Sequence, residues 1–126
     1  MEIQLESQEQ HAVRSYGPHS ITIGSETIQN SCVICKEFIH KEWPIQSITA
    51  LTTDDLAPLI QSKPEVIILG HDSNHWPSPA IASYLSTQKI GLECMSIGAA
   101  CRTFNILLGE KRAVALGIIL TASKDK

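Results

Sequence analysis

Apolar residues fall into short runs of changing period along this chain. Ile21 and Ile23 alternate with polar neighbours, Gly24-Ser25 follows, and Thr27-Ile28 resumes the alternation. This pattern predicts a hairpin. Gln29-Asn30-Ser31 marks a turn, and Cys32–Ile39 predicts a strand that ends before Trp43-Pro44. Ser47–Leu51 is expected as a further short strand. Thr52-Thr53-Asp54-Asp55 offers a capping hydroxyl and two acids suited to a helix dipole, and Pro58 and Pro64 keep the helix that follows short.

The second half is more regular. Glu65–Leu69 is an almost wholly apolar strand, as expected where both faces are covered. Gly70 and a polar loop, His71–Pro77, lead to Ser78-Pro79, a strong helix start. The helix spans Ala80–Gln88, Gly91 lies just beyond it, and Leu92–Ile97 is a second core strand. Residues 65–97 therefore predict one right-handed βαβ unit. Gly98 admits a helix at Ala99–Leu108, on which Ala100, Phe104, Leu107 and Leu108 share a face, and Gly109 stops it. Ala113–Leu120 is a last buried strand. The expected organisation is a polar N-terminal arm at residues 1–15, a single α/β domain at 16–122 and a tail at 123–126.

Composition narrows the function classes. With 126 residues the chain is one domain by size, and 43% hydrophobic and 18% charged residues exclude a disordered tail or a coiled coil. A formal net charge of -3 argues against a nucleic-acid binder. The first half is acidic and the second slightly basic, which favours any anion chemistry there. The acidic N-terminus lacks the marks of a signal or transit peptide. Ala113–Leu120 is the longest apolar run and is far shorter than the roughly 20 residues of a membrane span. A cytoplasmic protein without direct membrane insertion is expected, with Cys32, Cys35, Cys94 and Cys101 reduced and no cofactor.

Three groups of residues offer chemistry. Cys32-x-x-Cys35 with His71-x-x-x-His75 suits zinc by ligand type. On a strand, however, Cys32 and Cys35 point to opposite faces, and the gap to His71 far exceeds finger spacing. The loop Gly70–Pro77 leaves the carboxyl end of a core strand and enters a helix, the edge where α/β sheets gather ligands. His71, Asp72 and His75 suit acid–base work, although the same residues also suit a plain surface loop. Cys101 and Arg102, placed in the first turn of their helix, suggest a reactive thiolate or an anion clamp. The plainer alternative is a buried Cys101, with Arg102 and Asn105 making structural hydrogen bonds. If the two regions adjoin, Gly70, His71, Asp72, Cys101, Arg102 and Asn105 line one pocket.

The run Pro64–Gly70, the Pro-rich helix entry, Gly91–Met95 and above all Ala99-Ala100-Cys101-Arg102-Thr103-Phe104-Asn105 through Glu110-Lys111-Arg112-Ala113-Val114 resemble the family of the mitochondrial respiratory complex I assembly factor 3 and its bacterial and archaeal relatives. Ile21-Thr22-Ile23 and Trp43 also match, and the resemblance covers about residues 16–120. It implies a three-layer domain with a central mixed sheet and a non-catalytic role in assembling a membrane respiratory complex through protein partners. Two motifs depart from the family: Gly70-His71-Asp72 stands in place of Gly-Thr-Gly, and Met95-Ser96-Ile97 in place of Met-Asp-Thr. The residues themselves leave open a second class, a small-molecule or anion-binding enzyme using the loop after Leu69 and the helix start at Arg102. The arm 1–15, loop 71–77 and Trp76 are candidate contact surfaces. A homo-oligomer is possible through pairing of Ala113–Leu120 across an edge, unless that strand is central.

Overall fold

A computed structural model of the chain describes residues 11–121. Eight strands and three α-helices follow in the order β1 (Val13–Tyr16), β2 (Ile21–Ile23), β3 (Glu26–Ile28), β4 (Cys32–Cys35), β5 (Ile39–His40), α1 (Ala57–Ile60), β6 (Val66–Gly70), α2 (Pro79–Thr87), β7 (Gly91–Met95), α3 (Ile97–Gly109) and β8 (Val114–Ile118). Strands β1-β2-β3 form a small antiparallel sheet. The β2–β3 hairpin turns on Gly24, whose φ of 61° is open to glycine.

The main sheet is mixed, in the order β5-β4-β8-β6-β7. Strands β6 and β7 run side by side and parallel, with Val66 opposite Gly91 and Gly70 opposite Met95. This is the juxtaposition the βαβ pattern predicts. Strand β8 pairs in parallel with β6 and antiparallel with β4.

Alternation along each strand sorts the core onto two faces. Cys32, Ile34, Ile68, Leu116 and Ile118 face α3 and the inner side of the small sheet, where Ile21, Ile28 and Phe104 complete a cluster. Val33, Cys35, Ile67, Leu69 and Ala115 face the opposite way, toward Trp43, Leu56, Leu59, Ile81 and Leu85. The main sheet is thus the middle layer of three, as the fold class requires.

Several local expectations are corrected. The first strand starts at Val13, inside the segment read as a polar arm, and Val13 is buried; residues 1–10 lie outside the described part. Cys32–Ile39 is two strands, because the chain turns at Lys36–Phe38 and the Cys35 N–H donates to the Phe38 carbonyl at 3.0 Å. Ser47–Leu51 is a 3-10 turn over Ile48–Ala50, capped by the Ser47 hydroxyl. Ser96 ends β7 by capping α3, so Ile97 is helical rather than strand. Strand β8 is central, with partners on both sides, which closes the route to an oligomer through its edge.

Candidate functional site

Strand β6 delivers its carboxyl end against the start of α3. A Cβ at Gly70 would stand 2.7 Å from the Ala100 Cβ and 2.8 Å from Ile118 Cδ1, so glycine lets the backbone pass that close. His71 continues the ladder by one bond, its N–H donating to the Met95 carbonyl at 3.0 Å. Its ring is tucked in, with the residue 8% exposed. Nδ1 accepts the Ser73 N–H at 3.3 Å, which leaves the ring proton on Nε2. Burial holds the imidazole pKa below its ordinary value, and the neighbouring Asp72 carboxylate partly offsets this.

Asp72 turns toward α3. Its Oδ1 accepts the Ile97 N–H at 3.0 Å, while the Ser96 hydroxyl accepts the Ala99 N–H at 3.3 Å. Two amides of that helix start are therefore already satisfied from within the chain. The loop is stitched further by the Ser73 hydroxyl, which accepts the His75 N–H at 3.0 Å. It ends at Ser78, which caps α2 as expected. An open cavity of about 410 Å³ lies here, lined by His71–Trp76 and by Cys94, Met95 and Ser96. Trp76 stands out from it, 74% exposed.

The six candidate residues do not share this space. Gly70 leads into the cavity and His71 and Asp72 line it; Cys101, Arg102 and Asn105 do not. Cys101 is the fifth residue of α3, because Ser96 rather than Gly98 opens the helix. It is buried, and burial pushes its thiol up to about 11, with Arg102 pulling it down and Asp72 adding to the rise. Burial at this position disfavours the thiolate and fits the plainer alternative of a buried Cys101.

Arg102 donates from Nη1 to the Tyr16 hydroxyl at 2.7 Å. Asn105 accepts the Val13 N–H and donates to the Val13 carbonyl, both at 2.8 Å. These two residues bind the small sheet to α3, which is the structural alternative. Cys32 and Cys35 lie in the two opposite core clusters and cannot share one ion. Among the described residues no group of three or more His, Cys, Asp or Glu side chains stands close enough to hold a metal. No helix among them is long and apolar enough to cross a membrane.

Sequence reasoning missed Cys94, Met95 and Ser96 as cavity walls and Tyr16 as the partner of Arg102. Nothing local marks them. The walls come from parallel pairing with β6, and Tyr16 from a contact across 86 residues.

Comparison with known proteins places the chain among relatives. It is 27% identical over 120 residues to the Danio rerio NADH dehydrogenase (ubiquinone) 1 alpha subcomplex assembly factor 3, covering 93% of this chain and 68% of that protein. It is 31% identical over 83 residues to the Drosophila melanogaster protein of the same name, covering 61% of this chain and 42% of that one. The chain thus spans about two-thirds and two-fifths of the lengths of these two relatives. A solution structure of a Xanthomonas campestris protein superposes with a TM-score of 0.84 at 27% identity, covering 98% of this chain and 94% of that one. A family model matches residues 13–119, nearly the whole described domain, and the chain belongs to that family, the proteins of unknown function DUF498/DUF598.

Proposed function

We propose that this domain is a non-catalytic, cytoplasmic assembly factor that docks on subunits of a membrane respiratory complex through the loop 71–77. The observation that carries the reading is Trp76, a large apolar side chain 74% exposed on a loop otherwise secured by its own hydrogen bonds. A rigid loop presenting an aromatic anchor is what a protein interface uses as a hot spot. The names of the fly and zebrafish relatives support an assembly role. The test is affinity recovery from detergent-solubilised membranes of the source organism. The unaltered chain is expected to recover respiratory-complex subunits. Trp76→Ala is expected to reduce recovery roughly tenfold or more while leaving thermal unfolding unchanged. Absence of such subunits with the unaltered chain sinks the proposal.

One observation favours a second reading, a small-ligand site. The Nε2 proton of His71 has no partner among the described residues, and the ring lines the 410 Å³ cavity. Thermal-shift screening of nucleotides and small anions decides this. Stabilisation abolished by His71→Ala supports it, and silence across the set removes it.

A further inference from the structure

The two edges of the main sheet differ. Strand β5 is only two residues long, so that edge offers little to pair with. Strand β7 has five residues in unbroken register with β6, no proline, no bulge and a single charge, Glu93. Its outer side pairs with no strand among the described residues. The direction of its backbone groups follows from two bonds. The Gly91 N–H donates to the Glu65 carbonyl at 2.9 Å, and the Met95 carbonyl accepts the His71 N–H at 3.0 Å. Residues 91, 93 and 95 therefore turn their backbone toward β6. By alternation, the N–H and C=O groups of Leu92 and Cys94 point outward, where no described group meets them.

This edge runs directly into the cavity, since Cys94 and Met95 form one wall and Trp76 belongs to the facing loop. We infer that β7 receives an extended segment of a protein partner as an added strand, with a basic residue of that segment opposite Glu93. The backbone groups of Leu92 and Cys94 demand an extended chain, because only a strand supplies alternating donors and acceptors at that spacing. The exposed Glu93 carboxylate selects the charge, since opposite charges across a strand pair stabilise it and like charges repel. The inference rests on the docking face proposed above and specifies how the partner is held.

The test follows amide exchange at Leu92 and Cys94 by NMR. In the free protein both exchange fast, and Gly91 and Glu93 exchange slowly. A synthetic extended peptide alternating valine and threonine around one lysine, at millimolar concentration, slows Leu92 and Cys94 roughly tenfold. The same peptide with glutamate in place of lysine does not, and Glu93→Lys reverses the preference. Four results overturn the inference: protection without peptide at every protein concentration, protection that grows with protein concentration (a second copy on the edge), equal response to both peptides, or no response to either.

Cys94→Pro separates this inference from the assembly reading. It removes one outward N–H and leaves the bonds to β6 intact, a position where edge strands accept proline. Recovery of membrane subunits is expected to fall. Unchanged recovery by a folded Cys94→Pro or Glu93→Lys chain sinks the edge and leaves the assembly role standing. If the unaltered chain recovers nothing, the assembly role fails and the peptide experiment still decides the edge.

Discussion

Asn105 carries more of the structure than its place on a partly exposed helix face implies. Its amide satisfies both backbone groups of Val13, a residue 92 positions away, and so fixes the register of β1 on α3. Replacing it with alanine leaves an N–H and a C=O without partners in a part-buried seam. The expected cost is about 1–3 kcal/mol in chemical denaturation, with faster exchange at the Val13 amide. Asn105→Asp keeps the acceptor but sets a carboxylate against the Val13 carbonyl, so it is expected not to rescue. Arg102 and Cys101 are read the same way, as residues whose neighbours decide their roles. The segment from Ala99 to Asn105 was legible as a helix carrying a thiol, a guanidinium and an amide. Which of these faced a ligand was not, because Tyr16 and Val13 reach them only through the tertiary fold.

At the scale of elements, the start of α2 and the ends of α2 and α3 were legible to within a residue, and the start of α3 was not. Ser78 caps α2 through its own hydroxyl, a local device that the Ser-Pro pair announces, whereas Ser96 caps α3 in the same way from within a pattern that reads as strand up to Ile97. The helices were expected to end at Gln88 and Leu108, with Gly91 and Gly109 beyond them; the residues in the left-handed region just past the three helices are instead Lys63, Lys89 and Lys111, at φ of 56°, 62° and 63°. A lysine has no local preference for that conformation, and the closing bonds of the last turn hold it there. The Lys89 N–H, for instance, donates to the Ser86 carbonyl at 3.0 Å. Lys89→Gly is therefore expected to stabilise the domain by about 1 kcal/mol, read as a rise in the denaturation midpoint. The packing of α3 on β6 gives a prediction of the opposite sign. Gly70→Ala drives a methyl into Ala100 and Ile118, which forces helix and sheet apart and costs about 1–3 kcal/mol.

For the whole molecule, the buried titratable groups set the pH range of stability. Burial pushes Cys32 up to about 12 and Cys101 up to about 11. Above pH 9, the ordinary thiol value, the unfolded chain ionises these groups and the folded chain does not; stability is full below that pH and is lost as pH rises toward 11–12. His71 works in the other direction. Its pKa is held below the ordinary 6.5, so its contribution is present above that pH and is lost as pH falls and the unfolded chain takes up the proton first. Denaturant midpoints measured across pH are expected to show a plateau bounded by these two limits. Cys32→Ala and Cys101→Ala together should flatten the alkaline fall, and His71→Gln the acid one. Sequence by itself determined the βαβ unit, the hairpin, the capped start of α2 and the opposite facing of Cys32 and Cys35, because period, capping and strand alternation are local properties. Tertiary structure alone decided that β8 is central, that β7 has an open edge, and that Arg102 and Asn105 serve β1 rather than a pocket. Each of those depends on which distant segments meet, and that is set by how two apolar faces of one sheet are covered at once.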